Sequence, residues 1–233
     1  MRPRQRPNAM SLRAFHAAHH ACWLALLLAA SPPTPAQSVR VAATESVAAP
    51  TVAEATHELR LAIHMFRASR WDATEVRAAV TAAAQLLAQC GIAVPAALLH
   101  ELEAPRRFHF YATRIARELL RELPATKPAV FFVEDNLNRP AFDAEAIGRA
   151  NAGGRSELTD TVWIAHGTPD LAIALAHELV HVLGDSGEHS DAPGNLMRPQ
   201  TAPGNVDLDQ AQCSRLRMRG EANGLLKPRV LKP

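Results

Sequence analysis

The chain has 233 residues, of which 48% are hydrophobic, 21% charged and 5% aromatic. That composition is ordinary for a globular protein and excludes a disordered tail or a collagen-like repeat, while the length favours a single domain behind a processed leader. The formal net charge is +2, but Arg2, Arg4, Arg6 and Arg13 all precede residue 37, where no acidic residue offsets them. Without those four, 21 basic residues face 23 acidic ones. The remainder therefore supplies no clustered basic field, and nucleic acid is not an expected partner.

Residues 1–36 read as a secretory signal peptide: a basic start, the apolar run Ala21 to Ala30 (ACWLALLLAA), then the small-residue, proline-bearing end SPPTPAQS. Ten apolar residues fall far short of the ~20 that a spanning helix needs. Cleavage is expected near Ala36, giving a secreted or periplasmic protein that has no contact with membrane once the leader is gone. Cys22 leaves with the leader, and export delivers Cys90 and Cys213 to an oxidising compartment, where a disulfide between them is the natural expectation.

Residues 37–50, rich in Ala, Ser, Thr and Val without periodicity, read as a flexible linker, with one domain over 51–233. From Thr51 to Ser69, Leu59, Ile63 and Phe66 follow helical spacing, as a first helix or as a short pro-segment over 51–70. A clearer helix runs from Asp72 to Cys90 with Val76, Val80, Ala83 and Leu87 on one face. Asp72 and Glu75 resemble its capping box, and Gly91 its stop. After the apolar stretch Ile92 to Val94, a third helix is expected from Tyr111 to Leu123, stopped by Pro124. Ala129 to Val133 and Thr161 to Ala165 read as strands, with a weaker one near Ala146 to Ala150 and a loop at NAGGRSELTD. Thr168 as cap, Pro169 and Asp170 should open the helix LAIALAHELVHVLG, which Gly184 should end. That helix is apolar nearly all round, as a buried helix would be. A last helix is expected from Leu208 to Arg219, opened by Asp207 and Gln210.

The buried helix carries His177, Glu178 and His181 in the pattern H-E-x-x-H. Four residues make about one helical turn, so both imidazoles project from one face and can converge on one cation. Zn²⁺ suits them because it takes neutral imidazole nitrogen at roughly 2.0 to 2.1 Å with no rigid geometric demand. Glu178 is not placed as a ligand in this pattern, but it can reach a water acidified by the ion and accept its proton for attack on a carbonyl. A purely structural zinc site would have no use for that carboxylate and would more often close its fourth position with another Cys or His. His57, His64, His100, His109 and His166 have no partner at ligand spacing and read as surface or core residues.

The run HELVHVLGDSGEHSDAPGNLMRP, residues 177–199, resembles the metzincin metallopeptidases, particularly their matrixin-like branch. The family pattern is H-E-x-x-H-x-x-G-x-x-H followed by a turn carrying a Met. His177, Glu178, His181 and Gly184 match position by position, whereas the third histidine, His189, comes two residues later than the pattern has it. A loop at Asp185 to Glu188 enlarged by two residues accounts for the offset, since loops absorb insertions at little cost. The resemblance implies one catalytic Zn²⁺ on His177, His181 and His189, with Asp185 and Asp191 as alternatives for the third place. It also implies Glu178 as general base, Met197 as the Met beneath the metal, and substrate extended along the edge strand near Ala146 to Ala150. A tyrosine that the family carries after the Met is absent, because Arg198 and Pro199 follow.

The fold so implied is a zincin-like α+β domain: a small mixed sheet, a buried active-site helix and a C-terminal helical subdomain. The expected function is a monomeric, secreted zinc endopeptidase acting on protein or peptide substrates. A non-catalytic zinc-binding module and a zinc hydrolase of a non-peptide amide or ester are the alternatives, and Glu178 favours an enzyme over the former.

Overall fold

His57–Phe66 forms the strand (β2) around which the sheet is built. Leu59, Leu61, Ile63 and Met65 point to one core, and Phe66 packs in another core on the opposite face. A strand buried on both faces shows a near-continuous apolar run, and Leu59, Ile63 and Phe66 within it also satisfy a helical template. The helix expected over 51–69 is therefore a strand over His57–Phe66, in the middle of the sheet.

The computed structural model describes residues 38–48, 50, 52–138, 144–147 and 157–229. The leader, its cleavage site near Ala36, and the segments 148–156 and 230–233 lie outside the described residues. The remaining strands are Arg40–Val47 (β1), Ile92–Glu103 (β3), Phe110–Tyr111 (β4), Ala129–Val133 (β5), Asp135–Asn136 (β6), Ala144–Ile147 (β7), Thr161–Ala165 (β8) and Leu226–Pro228 (β9). The main sheet runs β1-β3-β2-β5-β8-β7, with β9 also on β2. β3, β2, β5 and β8 are parallel neighbours, while β1 lies antiparallel on β3 and β7 antiparallel on β8.

β1 occupies the stretch that reads as a linker. An edge strand exposes most of its side chains and is held by backbone pairing, so its sequence carries little apolar pattern to detect. β3 extends nine residues beyond the apolar stretch Ile92–Val94, passing Pro95 at a register shift against β2. A bulge is one of the few places where a strand tolerates proline.

Among the described residues four α-helices cover this sheet: Ala73–Ala88 (α1), Thr113–Glu122 (α2), Leu171–Gly184 (α3) and Gln210–Ala222 (α4). Asp72 caps α1, its side chain accepting from the backbone N–H of Thr74 at 2.6 Å. One core joins α1, α3 and α4 to the sheet through Val76, Val80, Leu87, Leu175, Leu183 and Leu216. The other lies beneath α2, where Leu119, Phe108, Tyr111 and Trp163 meet Phe66 and Phe131. α4 begins two residues later than Leu208, because its capping box is Asp209 with Gln212 rather than Asp207 with Gln210. Both pairs read D-x-x-Q, which is why the register is ambiguous in the sequence. Among the described residues no helix is long and apolar enough to cross a membrane.

His64, on the α2 side of β2, is 3% exposed. Its Nδ1 donates to the Val130 carbonyl at 3.2 Å and its ring stacks on Phe131. Burial, aided by the neighbouring His100, pushes its pKa down to about 3. In the unfolded chain the ring titrates near its ordinary value of 6.5. The unfolded state therefore binds the proton first: His64 does not weaken folding above pH 6.5 but opposes it increasingly as pH falls from there toward 3. Between pH 6.5 and 4 this penalty should reach about 3 kcal/mol. Urea unfolding of metal-free protein across that range, repeated on His64→Phe, checks it: the variant should lose a corresponding part of the acid sensitivity.

Candidate metal centre

α3 is apolar on almost every face because it is enclosed by the sheet, α1 and α4. Ile173, Leu175, Leu179, Val182 and Leu183 are all buried. It starts at Leu171 after Asp170, which adopts a left-handed conformation, so the start is later than a cap at Thr168 would put it. The Thr168 hydroxyl instead donates to the Ala165 carbonyl at 2.7 Å. Gly184 is the last helical residue, and Asp185 turns the chain away with φ 48°. The Ser186 N–H then reaches back to the His181 carbonyl at 3.2 Å, closing the helix end.

That turn brings the loop back over the helix. His177, His181 and His189 each offer a ring nitrogen, and these atoms all lie within 4.8 Å of one another. His177 is buried, His181 half-buried and His189 exposed. Among the described residues this is the group of His, Cys, Asp or Glu that could hold a metal ion, and neither Asp185 nor Asp191 belongs to it. The longer loop at 185–188 thus brings His189 beside the helical pair despite its offset in sequence.

The nitrogens are oriented from behind. His177 Nδ1 donates to the Leu196 carbonyl at 2.8 Å, and His181 Nδ1 to the Ser186 carbonyl at 2.7 Å. Since a carbonyl only accepts, both protons sit on Nδ1 and both Nε2 atoms present lone pairs. Those two Nε2 atoms are 3.0 Å apart. Two lone pairs so close repel unless something positive lies between them, and two nitrogens on one tetrahedral Zn²⁺ would be roughly 3.3 Å apart. Burial lowers the pKa of His177, and that of His181 to about 4. Both rings are therefore held in the neutral form that ligates.

Glu178 follows His177 and is half-buried. Met197 is buried and lines a cavity of about 230 Å³ together with Val180, His181, Gly184, His189 and Leu216. Its carbonyl accepts from the Ser190 N–H at 2.8 Å, directly after His189. At the rim Arg215 pairs with Glu188. Cys90, just past α1, and Cys213, in the first turn of α4, are joined by a disulfide. Two residues absent from the sequence reading complete the neighbourhood. Asn195 and Gln212 hydrogen-bond each other through both side-chain amides, beside Leu196. The only sequence signal for Gln212 is its place three residues after the cap Asp209.

No family profile and no curated protein matches the sequence. The structure is similar to the crystal structure of metalloproteinase-II from Bacteroides fragilis, with a TM-score of 0.52 at 16% identity. The match covers 76% of this chain and 57% of that protein. The fold is a zincin-like α+β fold. The chain spans little more than half the length of that metalloproteinase, and at this identity the likeness concerns the fold alone.

Proposed function

We propose that the chain is an exported zinc-dependent endopeptidase of the metzincin type, matrixin-like, with His177, His181 and His189 as ligands and Glu178 as general base. The observation that carries this reading is the convergence of three imidazoles, two of them with Nδ1 held by a carbonyl and Nε2 aimed at a common point. Zn²⁺ bound there would acidify a water and polarise the scissile carbonyl. Glu178 would take the proton from that water and pass it to the leaving amine. β7 ends the sheet order among the described residues, and an extended peptide would pair along its outer edge. Met197, which lines the same cavity as His181 and His189, would serve as a floor and not as a ligand. A disulfide between Cys90 and Cys213 fits a protein working outside the cytoplasm.

Cleavage of a mixed peptide library, measured before chelation, after chelation and after adding back Zn²⁺, tests the activity. Loss and recovery of peptide cleavage is expected. Hydrolysis confined to small esters or amides would move the substrate class, and zinc held without turnover would make this a binding module. For the third ligand, His189→Ala should weaken zinc binding by far more than Asp185→Ala or Asp191→Ala. Chelator competition measures all three, and the reverse order would reassign the position.

A further inference from the structure

The turn that orients His177 does not hold itself. Leu196 presents its carbonyl to His177 Nδ1 because the backbone from Gly194 to Arg198 is fixed. The Asn195 N–H donates to the Ala192 carbonyl at 3.2 Å, the Leu196 N–H to the Asp207 carbonyl at 2.7 Å, and the Arg198 N–H to the Asn195 carbonyl at 3.2 Å. At the middle of this turn Asn195 is 5% exposed. Its Oδ1 accepts from the Met197 N–H at 2.9 Å and from Gln212 Nε2 at 3.1 Å, while its Nδ2 donates to Gln212 Oε1 at 2.9 Å. Gln212 Oε1 also accepts from the Asp209 N–H at 2.9 Å, as part of the capping box that starts α4.

We propose that Asn195 and Gln212 are positioning residues for the metal centre: their paired amides lock the 195–197 turn to the first turn of α4, and that turn sets two of the three imidazoles. The first is His177, through the Leu196 carbonyl. The second is His189, whose following residue, Ser190, donates its N–H to the Met197 carbonyl. The assignment rests on the metal-binding reading above and adds to it the residues that aim the ligands.

The chemistry of the pair explains why amides stand here. A buried carboxamide with an unmet donor or acceptor is unfavourable, so the buried Asn195, paired reciprocally with the half-buried Gln212, tolerates few arrangements. An apolar pair of similar volume would fill the space but would not select one orientation for the Leu196 carbonyl. The partner in this pairing is itself anchored, since Cys213, the residue after Gln212, is disulfide-bonded to Cys90. Second contacts of this kind on a histidine ligand fix its tautomer and ring orientation, and losing them typically weakens metal binding by about 10- to 100-fold.

The test compares Zn²⁺ affinity, by chelator competition, with the unfolding midpoint of the metal-free protein. The variants are Asn195→Ala, Gln212→Met and Asp72→Ala, measured beside wild type. Asn195→Ala and Gln212→Met should still unfold cooperatively but bind zinc about 10- to 100-fold more weakly. Asp72→Ala removes the cap of α1 and touches neither amide, so its midpoint should fall with zinc affinity unchanged. A second readout needs no variant to fold: in ¹⁵N-histidine spectra of metal-free wild type, His177 should carry its proton on Nδ1. Wild-type affinity in both amide variants, or an equal loss in Asp72→Ala, would overturn the assignment, as would a proton on Nε2 of His177. A wild type that binds no zinc at all would instead remove the metal reading on which the assignment stands.

Discussion

Glu178→Gln is expected to leave metal and fold intact while cutting peptide hydrolysis by about 10²- to 10⁴-fold, which is about 3 to 5 kcal/mol of barrier. The amide has nearly the shape of the carboxylate, so the packing of a half-buried side chain on α3 is preserved. It cannot accept the proton that a general base must take. Glu178 is also outside the trio of converging donors, so its replacement removes no ligand. Cleavage rate and zinc content measured on the same preparation decide it. A variant that cleaves at the wild-type rate would take Glu178 out of the reaction, and one that has lost its zinc would make the residue part of the metal site instead.

The second large effect is expected from the disulfide. Cys90 and Cys213 are separated by 123 residues, and joining positions so far apart restricts the unfolded chain strongly. On the loop-entropy account the cross-link is worth about 4 to 5 kcal/mol, with about 2 to 5 kcal/mol typical for removal of a native bridge. The double variant Cys90→Ser/Cys213→Ser avoids leaving a lone thiol and should show a correspondingly lower urea midpoint in the metal-free state. Because the bridge adjoins Gln212, the same variant should also weaken zinc binding. A change in unfolding free energy of less than about 1 kcal/mol would place the stabilisation elsewhere.

What the sequence makes legible follows from how many independent signals coincide. α3 is readable to its last residue because a largely apolar run, H-E-x-x-H and a terminal glycine fall together. β5 and β8 match their expected spans because each is five apolar or β-branched residues between turn signals. β2 misleads because burial on both faces removes the alternation that separates strand from helix. β1 is invisible because an edge strand is specified by its neighbour's backbone rather than by its own side chains. The start of α4 is displaced because two D-x-x-Q cap patterns overlap and only packing chooses between them. In the candidate metal site, the helical pair is written in local spacing. The convergence of His189 depends on a loop path, and the Asn195–Gln212 pairing joins residues 17 apart through a contact that no local pattern encodes.

The central claim is that three converging imidazoles, those of His177, His181 and His189, hold one ion. Zinc titration of the metal-free mature chain, with bound metal counted per chain, measures that. The predicted result is a single tight site filling at one equivalent in wild type and lost in His177→Ala and His181→Ala. Binding of less than about half an equivalent under zinc-replete conditions, or full binding retained in both histidine variants, would contradict it.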